Sequence, residues 1–157
     1  MTLQWPLNWE QLIRGVDCEM CDSTRPDTDR YGIRVRATDI TDTVLQRARI
    51  QRGYTLVIWR GRHVTEPTEL TTAEASLYWL DVLTAARALL HHYRPLKMNY
   101  ETLGNSLPHL HTHLIPRYVQ DPAPGQPFPL LPMSGSEPLI PEEQLQDDAD
   151  ALRNLLR

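Results

Sequence analysis

The chain has 157 residues, 41% of them apolar and 23% charged, with a formal net charge of −4. That length buries a core of its own, and those proportions are ordinary for a globular domain. The negative balance excludes a general nucleic-acid coat, and no run of about 18 or more apolar residues is present to span a bilayer. The stretch "MTLQWPLNWEQLIRG" lacks the basic-then-apolar pattern of a secretory signal, so a cytoplasmic location is expected.

In chain order, "NWEQLIRG" reads as a short helix with Asn8 as N-cap and Gly15 as stop. Cys18 and Cys21, the only cysteines, form a Cys-x-x-Cys pair inside the turn-rich segment "CEMCDSTRPDTDRYG". In a reducing compartment such a pair points to metal or redox chemistry before a structural disulfide. "IRVRAT" and "TVLQRARI" have strand character, and "GYTLVIW" is the clearest central strand, bounded by Gly53 and Gly61. Arginines crowd between Arg47 and Arg62, as a solvated face or as an anchor for a phosphate tail.

Thr71 and Glu74 have capping-box spacing and open a helix running from Ala73 to about Tyr93, with Pro95 preventing its continuation. Leu77, Leu80, Leu83 and Leu90, joined by Tyr78, Val82 and Leu89, give a broad apolar stripe suited to packing on a sheet. "LKMNYETL" and "PHLHTHLI" read as two strands of a hairpin across "GNS". Seven of the thirteen prolines then fall between Asp121 and Pro141, which predicts an extended wrap bordering the site on the preceding strand. An amphipathic helix using Leu145, Ala149, Leu152 and Leu155 or Leu156 ends the chain. The fold class is therefore α+β, an antiparallel sheet of about five strands with one long packed helix and shorter terminal ones. One domain over 1–157 is expected, its core at about 18–118 and the proline-rich segment and last helix at 119–157.

"HLHTHL" places His109, His111 and His113 at alternate positions, so a strand would present all three on one face, about 6.5–7 Å apart. Three readings compete. The row is a solvated polar face; or a metal site, although imidazoles in a straight row splay apart; or a covalent catalyst. Imidazole is an effective nucleophile near neutral pH, and a flanking histidine can hold the ring's tautomer while another donates to substrate.

"HLHTHLI" resembles the signature of the histidine-triad (HIT) family, three histidines alternating with apolar residues. "GYTLVIWRGRHVTEPTEL" and "NYETLGNSLPHLHTHLIPRY" extend the likeness to roughly Cys18–Pro129, with Thr112 departing from the apolar pattern. The resemblance implies an enzyme, a nucleotide hydrolase or transferase acting at the α-phosphate of dinucleoside polyphosphates, nucleoside phosphoramidates or similar conjugates through a nucleotidyl-histidine. It gives His111 as nucleophile, His113 as phosphate hydrogen-bond donor and His109 as the residue setting the row's geometry. Asn99 and the turn Gly104, Asn105 and Ser106 would contact phosphate. Tyr54 stands where family members often have a fourth histidine, and Gln46 falls near the ribose-contacting position.

The same likeness to bacterial members with an N-terminal Cys-x-x-Cys implies a structural zinc on Cys18, Cys21, His63 and His109. A free thiol pair and a redox couple are the other readings of the cysteines, and no metal is required for the chemistry itself. The implied partners are a nucleotide with an AMP or GMP moiety and a second copy of the chain, with no membrane and no specific nucleic acid. Two other functions fit the fold: a nucleotide-binding or interaction protein with little turnover, and a nucleotidyltransferase to an acceptor other than water.

Overall fold

The computed structural model describes residues 4–22, 26–129 and 138–157. Part of the turn-rich segment after Cys21, and the middle of the proline-rich stretch, therefore lie outside the described residues. Five strands, β1 (Gly32–Ala37), β2 (Thr41–Gln46), β3 (Thr55–Trp59), β4 (Lys97–Thr102) and β5 (His111–Arg117), form one antiparallel sheet in the order β1-β2-β3-β5-β4. Three helices accompany them: α1 (Trp9–Leu12), α2 (Thr72–Tyr93) and α3 (Glu142–Leu155). The fold class expected from the sequence is the one observed.

β3 is buried along its whole length because both faces of the sheet are covered there. Residues Val57 and Trp59 join Ile33, Leu45 and Leu114 beneath α2 and α3, forming the larger core. Leu56, Ile58 and Ile115 point the other way and meet Tyr54 and Phe128 in a smaller cluster, with Met20, Val44 and Ile50 at its margin. The candidate site lies on this second face.

Helix α2 begins as the capping box predicts, with the Glu74 N–H donating to Thr71 Oγ1 and the Thr71 N–H donating to Glu74 Oε2. It ends at Arg94, in the left-handed region with φ +48°, one residue before Pro95. The buried face differs from the expected one. Tyr78, Val82, Ala85, Ala86, Leu89 and Tyr93 face the sheet, whereas Leu77 and Leu80 are 52% and 55% exposed and Leu83 and Leu90 also face outward. Alanines at the contact let the helix backbone approach the strands, and the bulkier leucines are turned away.

Asp81 fixes the middle of the helix to the sheet. It accepts from Arg36 Nη1 at 2.6 Å and from the hydroxyls of Thr38 and Thr41 at 2.7 Å each. Burial opposes its charge, but these donors outweigh burial and hold the carboxyl below its ordinary value. At the C-terminal end of the chain, α3 buries Leu145, Ala149 and Leu152 as its sequence pattern predicts, while Leu155 is exposed. Asn8 occupies the N-cap position of α1 without making a side-chain cap bond.

Candidate active site and metal centre

Only two of the three alternating histidines belong to the ladder. His111 and His113 lie on β5, opposite Ile58 and Leu56 of β3, so strand alternation puts them on the face of the smaller core. His109 precedes the strand in a turn where its N–H donates to the Leu107 carbonyl, and Leu110 donates to the Val64 carbonyl. Pro108, without a backbone donor, begins that departure.

His111 is 6% exposed, and its Nδ1 lies 2.6 Å from the His109 carbonyl oxygen. A carbonyl only accepts, so Nδ1 carries the proton and Nε2 keeps its lone pair. Burial lowers the pKa of His111, partly offset by this bond, and the ring stays neutral with Nε2 as a nucleophilic atom. The ring of His113 lies 4.7 Å from that of His111.

Tyr54 completes the row. Its hydroxyl is 2.6 Å from His113 Nδ1, and its ring lies parallel to the imidazole at 5.9 Å. Burial, and after it Glu101, raises the Tyr54 pKa, so the phenol keeps its proton and is able to donate to Nδ1. With the phenol donating, His113 carries its own proton on Nε2. Burial, with the neighbouring His111, pushes its pKa down to about 3. Adjacent rings thus offer opposite functions, a lone pair at His111 Nε2 and a donor at His113 Nε2.

The remaining predicted site residues divide. Asn99 is on the same face, opposite Ile115, and its Oδ1 accepts from Arg117 Nη1 at 2.9 Å, which leaves the amide hydrogens for another acceptor. Gly104 has φ +123°, a conformation that favours glycine, and the exposed Asn105 and Ser106 follow it in the turn between β4 and β5. Gly104 and Asn105 border a recess of about 230 Å³ whose other walls include Trp5, Trp9 and Pro108. Gln46 is buried at the end of β2, with its Nε2 donating to its own strand at the Val44 carbonyl.

Two residues of this face escaped the sequence reading as site residues. Arg117 uses all five of its N–H donors: two on Asp121, one on Asn99, and two on the carbonyls of Ala123 and Gln126. It thereby ties the start of the proline-rich stretch to β5 and β4, and brings Phe128 against the smaller core. The other is Glu101, paired with His113 across the ladder. Extending the alternation from Asn99 by two residues would have found it.

His109 belongs to a different cluster. Its Nε2 lies 2.8 Å from the Trp59 carbonyl and carries the proton, so Nδ1 presents a lone pair, 3.5 Å from both Cys18 Sγ and Cys21 Sγ. Cys21 Sγ is 3.2 Å from His63 Nδ1. Donor atoms of Cys18, Cys21, His63 and His109 all lie within 4.8 Å of one another. A tetrahedral zinc with Zn–N near 2.0 Å and Zn–S near 2.3 Å separates its ligands by roughly 3.3–3.8 Å, so this donor set fits one. Gly15 lets the N-terminal turn close on it: with φ +77°, a Cβ there would stand 2.8 Å from the His63 ring.

Comparison with known proteins agrees with this geometry. The family model described as the HIT domain matches residues 35–120. This chain belongs to the HIT family. The HIT chain is 34% identical over 76 residues to "Protein hit" of Bacillus subtilis (strain 168), a match covering 45% of this chain and 52% of that protein. It thus spans about half the length of the curated relative it matches.

A histidine triad protein from Bradyrhizobium japonicum has a similar fold, with a TM-score of 0.71 and 21% identity over 80% of this chain and 90% of that one. A zinc-bound histidine triad family protein from Mycobacterium smegmatis aligns with a TM-score of 0.55 and 18% identity, covering 78% and 82% of the two chains. Among the described residues, no helix is long and apolar enough to cross a membrane.

Proposed function

We propose that this HIT protein is a nucleotide hydrolase or transferase in which His111 is the nucleophile. The observation that carries the reading is the bond from His111 Nδ1 to the His109 carbonyl, which leaves an unprotonated Nε2 on a neutral ring. His111 Nε2 attacks the α-phosphorus of a nucleotide conjugate and the bond to the leaving group breaks. An acceptor, water in a hydrolase, then releases the nucleoside monophosphate and restores the ring.

His113 Nε2–H, fixed by Tyr54, donates to a non-bridging oxygen as charge develops there. The Asn99 amide, the Gly104 backbone and the side chains of Asn105 and Ser106 supply further hydrogen bonds to phosphate. The apolar surface of Val44, Leu56, Ile58 and Phe128 takes the nucleoside, with Gln46 at its edge.

Cys18, Cys21, His63 and His109 hold a structural zinc in this reading, with His109 joining the two sites through its backbone carbonyl. The metal, when bound, fixes the N-terminal segment to the sheet and takes no part in phosphoryl transfer. The exposed leucines of α2, with Trp79 beside them, form the surface for a second copy in a cytoplasmic homodimer. A monomer by sedimentation at micromolar concentration would remove that assignment.

The central test follows monophosphate release from a panel of adenosine and guanosine phosphoramidates and dinucleoside polyphosphates. His111→Ala is expected to lose on the order of 10⁴-fold in turnover. Equal rates in wild type and variant would refute the nucleophile, and absence of release from every compound, whatever the acceptor supplied, would favour a binding protein.

A further inference from the structure

Glu101 occupies β4 directly opposite His113, on the face that carries His111 and Tyr54. Partners across an antiparallel pair have Cβ atoms about 4.5–5.5 Å apart, so the carboxyl is close to the reactive row. The side chain is half-buried, and Oε1 is shielded from solvent with no hydrogen-bond partner among the described residues. A shielded carboxyl oxygen without a partner is costly to stability and calls for a role outside the resting fold.

The obvious structural partner is already occupied. Arg117 lies near enough to influence Glu101 electrostatically, yet its five donors are used on Asp121, Asn99 and two backbone carbonyls. Burial raises the Glu101 pKa, with Arg117 opposing that rise. A carboxyl whose hold on a proton is strengthened, set beside the reactive row, can carry one to a leaving atom and take one back.

We propose that Glu101 is the proton donor to the leaving group, an inference that rests on His111 acting as the nucleophile. As His111 Nε2 forms its bond to the α-phosphorus, the bond from phosphorus to the leaving atom breaks. That atom keeps the bonding pair and receives the Glu101 proton. In the second step the Glu101 carboxylate takes a proton from the attacking water. The new P–O bond forms, the P–Nε2 bond breaks with its pair returning to His111, and both residues are restored. Among the conjugates of the proposed function, the role favours a nucleoside monophosphate joined to an alcohol or amine, whose leaving atom needs a proton. A polyphosphate tail departs as a stable anion and has no such need.

The test compares kcat/KM for two adenosine monophosphate esters, one with a simple alkyl alcohol and one with nitrophenol, in wild type and Glu101→Gln. The alkyl ester is expected to lose on the order of 10²–10³-fold while the nitrophenyl ester hardly changes. Equal losses on both esters would mark a structural role, and no loss on either would mark none; each overturns the proposal. Glu101→Ala with added formic acid is the second arm. Recovery of alkyl-ester turnover alone supports the proton transfer, and recovery of neither ester or of both refutes it. If His111→Ala also leaves the nitrophenyl ester untouched, the nucleophile assignment has failed. If that variant is inactive while Glu101→Gln treats the two esters alike, only the role of Glu101 has.

Discussion

His109 and His111 stand two residues apart and are both almost completely buried, yet their imidazoles are held in opposite tautomers. The ring of His109 donates from Nε2 to the Trp59 carbonyl and turns Nδ1 toward two thiols, whereas His111 donates from Nδ1 and keeps its lone pair on Nε2. In each case a backbone carbonyl makes the choice. Identical side chains at equivalent spacing therefore carry different chemistry, decided by whether the residue precedes the ladder or lies within it. The lesson extends to His113, whose Nδ1 meets not a carbonyl but a phenol from the neighbouring chain segment.

That contrast is open to attack from either end. The largest effect is expected at the cysteine end. Protein purified without chelator should contain about one zinc per chain, and stripping it should lower the melting temperature by about 10 °C, the scale of a few kcal/mol for this size. A metal content near zero by elemental analysis would remove the zinc.

The next effect belongs to His113 and is read in acid. Its folded pKa, about 3, lies below the unfolded value near 6.5, so the unfolded chain binds more protons between them. The stability of the wild type should therefore fall as pH drops below about 6.5 and go on falling toward about 3. Denaturant titrations of His113→Asn should lack that component; identical pH profiles would contradict the buried, neutral ring.

The smallest effect is expected at Tyr54→Phe, which removes one donor and keeps the stacked ring. A loss of about tenfold in kcat/KM corresponds to one hydrogen bond of about 1.4 kcal/mol. An unchanged rate would show that His113 keeps its tautomer without the phenol.

Much of the fold was legible because local signals agreed with it. Thr71 and Glu74 announced the start of α2, and Gly53 and Gly61 bracketed the strand that became the centre of the sheet. The inward face of α2 was misread for a physical reason. Hydrophobicity ranks Leu77 and Leu80 above Ala85 and Ala86, but close approach of a helix to a sheet rewards small side chains, and a shift of one position along the helix turns the face by about 100°.

The candidate site was legible unevenly. His111, His113 and Asn99 follow from strand alternation, but the exit of His109 from the ladder depends on the turn at Pro108 and on carbonyls from distant segments. Cys18, Cys21, His63 and His109 are scattered over 91 positions, so family likeness, and not spacing, joined them before the structure brought their donor atoms together. Alternation from Asn99 puts Glu101 on the same face, but nothing in its immediate sequence separates a buried carboxyl from an exposed one. Only its ladder partner does.

The Arg117 clamp bears on how the pocket meets its ligand. One guanidinium joins the reactive strand, its neighbour and the loop that delivers Phe128. These three pieces consequently keep a common frame. If the proposed function holds, the apolar wall is in register with His111 before a nucleotide binds, so the entropy of ordering that wall is lost on folding and is not charged against binding.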